Sequence, residues 1–170
     1  LRADARTVAT RSDGSKPRIG VSWKSARADF GAPKSTNLSV DWTPVFQVLP
    51  NANYFSVQYG NVSADLVATQ DACGVTLHAD HGFDITQDID ELAAFLTSWD
   101  LLITTSNTTA HLAGGLGVPV WCLVPQGPGR LWYWFDGEQS SLWYPSMTLY
   151  WQKSAGNWKD VFDRVAADLS

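Results

Sequence analysis

Two cysteines, one methionine and three histidines are all the soft-ligand chemistry that these 170 residues contain. Cys73 and Cys122 each lie in an apolar setting, which argues against a disulfide scaffold and for a reduced, cytoplasmic protein. His78 and His81 sit near Asp80 and Asp84, but on an irregular segment without a third ligand, so no metal site is expected. No apolar run approaches the roughly 18 residues that cross a membrane. Charged residues make up 17% of the chain and the net charge is −5, the wrong sign for a nucleic-acid partner. No GxGxxG follows any strand-like segment, so the dinucleotide fingerprint is missing. There is also no signal-peptide pattern at Leu1, which does not read as a natural start; the expectation is a piece of something longer.

The remainder suits one domain with a full-sized core. Residues 1–17 are polar and aperiodic and read as a linker or the end of a preceding segment. From Arg18 onward, short apolar runs alternate with helical patterns in the order βαβαβαβαββα. That order predicts an α/β domain, residues 18–170, with a Rossmann-like parallel sheet flanked by helices. The first strand, residues 18–23, opens into Lys24-Ser25 and a flexible run to Asn37. A second strand around residues 54–58 ends in the turn Tyr59-Gly60-Asn61. Helices are expected at residues 63–72 and 89–96, the latter capped by Asp88 or Thr86.

The most informative stretch is WDLLITTSNTTAHLAGGLGVPVWCLVP, residues 99–125. It reads as strand, polar loop, short helix and strand, with Ser106, Asn107 or Thr108 as N-cap and Gly117 as the terminating glycine. Gly114 and Gly115 are small enough to bring the helix close to the sheet. A helix that starts at the carboxyl end of a strand offers free N–H groups and a positive dipole end to an anion. The loops at Lys24, at residues 58–61, at residues 106–109 and at residues 126–130 all leave strand carboxyl ends. They should converge on one rim, where a parallel sheet binds its ligand. Residues 126–146 lack a period and are expected to form a long ordered loop over those ends. A last strand at residues 147–151 and a helix capped by Asn157 complete the chain. Five of the nine tryptophans lie in the last quarter, as packing or as stacking surfaces.

Five blocks carry a resemblance in order: GVSWK (20–24), SVQYG (56–60), the segment from Asp84 to Thr104, SNTTAHLAGGLGVPVWCLVP (106–125) and LWYPSMTLYWQ (142–152). Together they resemble the C-terminal half of a GT-B glycosyltransferase. The nearest type is the domain that follows tetratricopeptide repeats in bacterial proteins, related to heptosyltransferases and more distantly to O-GlcNAc transferases. The resemblance implies a metal-independent enzyme without a cofactor, taking a nucleotide sugar as donor substrate. It places Lys24, Ser106, Asn107, Thr108, Thr109 and His111 at the donor phosphates, with packing and capping support as the other reading of His111. It places Gln58, Tyr59, Gly60, Asp84 and Asp88 near the base and ribose. An acceptor-binding domain would lie upstream and hold the general base, with tetratricopeptide repeats as further partners. Many relatives carry Asp then Thr or Ser where this chain has Ser106-Asn107. Loss of that carboxylate lowers repulsion of a diphosphate but removes an orienting or proton-transfer group, so an inactive nucleotide-binding or scaffold domain is the alternative.

Overall fold

The computed structural model describes residues 15–25 and 32–170. The linker expected at residues 1–17 lies, for 1–14, outside the described residues, as do residues 26–31 of the run after Lys24. Six strands form one sheet: β1 (Arg18–Ser22), β2 (Asn53–Ser56), β3 (Leu77–His78), β4 (Leu101–Thr105), β5 (Val120–Val124) and β6 (Met147–Trp151). Their spatial order is β3-β2-β1-β4-β5-β6, and every neighbouring pair runs parallel. The chain builds outward from β1 in one direction and then from β4 in the other. The topological switch point therefore falls between β1 and β4, where Ser22 pairs with Thr104.

Among the described residues five α-helices flank the sheet: α1 (Thr43–Val48), α2 (Ser63–Cys73), α3 (Ile89–Leu96), α4 (Thr108–Gly115) and α5 (Lys159–Leu169). On one face Val45 and Phe46 of α1 and Val161, Phe162 and Val165 of α5 pack on Ile19, Val21, Leu101 and Ile103. On the other, Leu92 and Leu96 of α3 and Ala110 and Ala113 of α4 pack on Leu102, Val120 and Cys122. Both faces are covered, which is why β4 and β5 are buried at every position.

Two glycines set close approaches. A Cβ on Gly20 would lie 1.9 Å from the Trp99 ring, so the bare backbone of β1 seats that indole. A Cβ on Gly114 would lie 2.6 Å from the Tyr144 ring, whereas one on Gly115 would meet nothing within 4 Å. The expected closeness thus belongs to Gly114 alone, and it admits an aromatic ring. Gly117, at φ 75°, turns the chain after α4 as expected. Strand β4 runs two residues past the apolar run that predicted it. Thr104 and Thr105 are fully buried, and the Thr104 hydroxyl donates to the Thr105 carbonyl.

Candidate functional site at the carboxyl rim

The rim at the switch point is joined by side chains from three loops. Asn107 is the N-cap of α4: its Oδ1 accepts from the Ala110 N–H at 3.2 Å and lies 3.3 Å from the Thr104 hydroxyl. Its Nδ2 donates across the switch point to Ser22 Oγ at 2.8 Å. Ser22 has one proton and gives it to Gln58 Oε1, 3.2 Å away. The same Gln58 oxygen accepts from the Trp23 N–H at 2.9 Å and the Lys24 N–H at 2.7 Å. Because the Ser22 proton is committed to Gln58, the partner facing Ser22 must be a donor. The amide of Asn107 meets that need and a carboxylate at 107 would not. The network is neutral: none of its members, Ser22, Gln58 and Asn107, carries a carboxylate.

The first-turn amides of Thr108 and Thr109 have no partner within the helix. Thr108 is exposed and Thr109 buried, its hydroxyl 3.4 Å from the Tyr59 hydroxyl. Lys24 is tied to this junction through its backbone N–H, which is fixed on Gln58, while its ammonium lies 2.5 Å from Asp65 Oδ2 on α2. The structure thus brings Lys24, Gln58, Tyr59, Asn107 and Thr109 together. Gln58 ties the β1 and β2 loops to each other, with its acceptor oxygen fully engaged. Gly60 is exposed at φ 88° in the turn. Asp84 and Asp88 are exposed on the loop that enters α3. Asp84 is held below the usual carboxylate range by the Thr86 hydroxyl and amide. Asp88 is the N-cap of α3, and its side chain accepts from the Asp84 N–H.

Ser106 and His111 look the other way, into the β5–β6 connection. Ser106 Oγ accepts from Trp134 Nε1 at 2.8 Å. His111 stacks on Trp134, with centroids 5.0 Å apart and planes within 10°. Its Nδ1 lies 3.1 Å from the Tyr144 hydroxyl and its Nε2 3.3 Å from that of Tyr133. Burial holds the imidazole below its ordinary pKa, and the charge of Lys34 adds to the effect. Lys34, in a 3₁₀ turn (Ala32–Lys34), is 6% exposed. Nothing in the sequence singled it out, because it sits in an aperiodic run. Its turn docks on the end of β1 through Thr36, whose N–H donates to the Trp23 carbonyl at 2.8 Å.

The fourth loop expected at the rim behaves differently. The Gln126 N–H donates to Gln152 Oε1 at the end of β6, so residues 126–130 join β5 to β6 instead of meeting Lys24. A cavity of about 800 Å³ opens there, with Trp121, Gln126, Gln139, Trp151 and Arg164 in its wall. Residues 131–146 do form a long ordered connection. Trp132, Leu142 and Trp143 are exposed along it, and Phe135 adopts a φ of 54°. Among the described residues no group of three or more His, Cys, Asp or Glu is placed to hold a metal. No helix among them is long and apolar enough to cross a membrane.

No family model matches the chain. Protein FlbA of Caulobacter vibrioides (strain ATCC 19089 / CIP 103742 / CB 15) is 29% identical over 156 residues, covering 92% of this chain. The chain spans about a quarter of FlbA, 25% of its length. Among solved structures, a glycosyl transferase family 9 protein from Veillonella parvula DSM 2008 aligns with a TM-score of 0.49 at 18% identity, over 87% of this chain and 39% of that one. A Listeria monocytogenes protein described as a UDP-N-acetylglucosamine 2-epimerase aligns at 0.49 and 17% identity, over 98% of this chain and 42% of that one.

Proposed function

We propose that this domain is the donor-binding half of a metal-independent GT-B glycosyltransferase, which moves a sugar from a nucleoside diphosphate to a hydroxyl acceptor. The observation that carries this reading is the neutral Asn107–Ser22–Gln58 junction at the switch point. It joins the N-cap of α4 to the loop that carries Lys24, an arrangement suited to a diphosphate. In transfer, the leaving diphosphate gains charge, and the amides of Thr108 and Thr109 with the Lys24 ammonium would stabilise it. Tyr59, whose hydroxyl lies 3.4 Å from that of Thr109, would contact the nucleoside, with Asp84 and Asp88 near the ribose. The acceptor half, the general base and any tetratricopeptide repeats belong to this proposal as upstream partners. Ser106 and His111 act in it as supports of the β5–β6 connection. The exposed Trp132 and Trp143 favour a second reading, in which the domain is an inactive scaffold that docks through this connection.

A thermal-shift panel separates the two. UDP, GDP, ADP, CMP and their sugar conjugates are added to the chain, and a bound nucleotide raises the melting temperature by mass action. One nucleoside diphosphate should raise it in wild type and not in Lys24→Ala. A panel without any shift supports the scaffold reading.

A further inference from the structure

Asp65, on the first turn of α2, was assigned no role by its sequence context, yet it pairs with Lys24 of the rim loop. Its Oδ2 accepts from Trp23 Nε1 at 3.0 Å and lies 2.5 Å from Lys24 Nζ. The two donors differ in freedom. Trp23 is fully buried, so its indole N–H fixes the carboxylate in place. The Lys24 side chain is 44% exposed and swings on a four-carbon stem from a backbone N–H anchored on Gln58.

We infer that Asp65 is a positioning residue for Lys24: it holds the ammonium at the switch-point rim and yields it to an arriving diphosphate. This rests on the donor-phosphate reading above. A half-exposed ion pair is weak because water screens it, whereas an ammonium donating to a phosphate oxygen beside a helix N-terminus makes a stronger charge-assisted bond. Exchange is therefore downhill, and the carboxylate sets how much affinity Lys24 delivers. Asp65→Asn isolates the effect. Asparagine Oδ1 still accepts from Trp23, but the charge that competes for Lys24 is gone.

The test is an NMR titration of the 170-residue chain with inorganic pyrophosphate, as wild type, Asp65→Asn, Lys24→Ala and the double variant. Asp65→Asn should tighten binding about two- to fivefold, and less so as salt is raised. In the Lys24→Ala background the same substitution should leave affinity unchanged. Equal tightening in both backgrounds would mean simple repulsion by Asp65 and would overturn the inference. So would unchanged or weaker binding by Asp65→Asn while Lys24→Ala still weakens it; either result spares the donor reading. No binding by any of the four proteins would remove the donor reading and this inference together.

Discussion

Asn107 concentrates three interactions in one side chain, each with a different consequence for substitution. Alanine at 107 loses the cap on Ala110, the contact with Thr104 and the donor to Ser22. That change should cost about 1–2 kcal/mol, or about 2–4 °C of melting temperature per kcal/mol in a chain of this size. Aspartate keeps the cap and loses only the donation to Ser22, so Asn107→Asp should cost less than Asn107→Ala. Chemical denaturation of both variants checks the ranking; equal losses would mean that the Ser22 contact, not the cap, dominates. His111 is the second residue with a readable signature. Its pKa is lowered in the folded protein by burial first and by Lys34 second. The unfolded chain therefore binds more protons in the window from the folded pKa up to the ordinary value near 6.5. Stability should fall as pH drops through that window. His111→Phe should flatten this part of the melting-temperature profile, and an unchanged slope would assign the pH dependence elsewhere.

At the scale of elements, strand β1 and helix α4 each use a glycine whose surroundings decide what an added methyl does. Gly20→Ala drives a Cβ into the rigid Trp99 ring, 1.9 Å away, which should cost about 1–3 kcal/mol or more. Gly115→Ala, in open space at the end of α4, should be neutral or stabilise by up to about 1 kcal/mol. Comparing the two melting temperatures tests the packing account, and a stable Gly20→Ala would contradict it. These elements were legible to different degrees. The apolar runs of β4 and β5 and the 3.6-residue pattern of α5 were plain, because burial on two faces or one stripe leaves a periodic trace. Thr104 and Thr105 disguised the end of β4, since hydroxyls that bond to nearby backbone can be buried in a strand as well as exposed in a loop. The aromatic box around His111 was not legible. Tyr133 and Tyr144 arrive from 22 and 33 residues along the chain, through a connection with no repeating pattern.

Over the whole molecule, the alternation of strands and helices was enough to require a parallel sheet with both faces covered, whose carboxyl rim is where such sheets bind ligands when they bind them. It did not determine which loops meet there. The 24, 58 and 107 loops are stitched together by Ser22 and Gln58, whereas the 126 loop is claimed by Gln152, just past β6. Lys34 was hidden because a buried lysine in an irregular segment leaves no periodic sign. The structure consequently offers two regions to a ligand, the switch-point rim and the cavity beside β6, and the account rests on the first. The most direct measurement is backbone-amide NMR of the chain during titration with the nucleoside diphosphate that gives a thermal shift. The account predicts the largest perturbations at Lys24, Tyr59, Thr108 and Thr109. Perturbations centred instead on Gln126, Trp151 and Gln152 would place the nucleotide in the β6 cavity and contradict it.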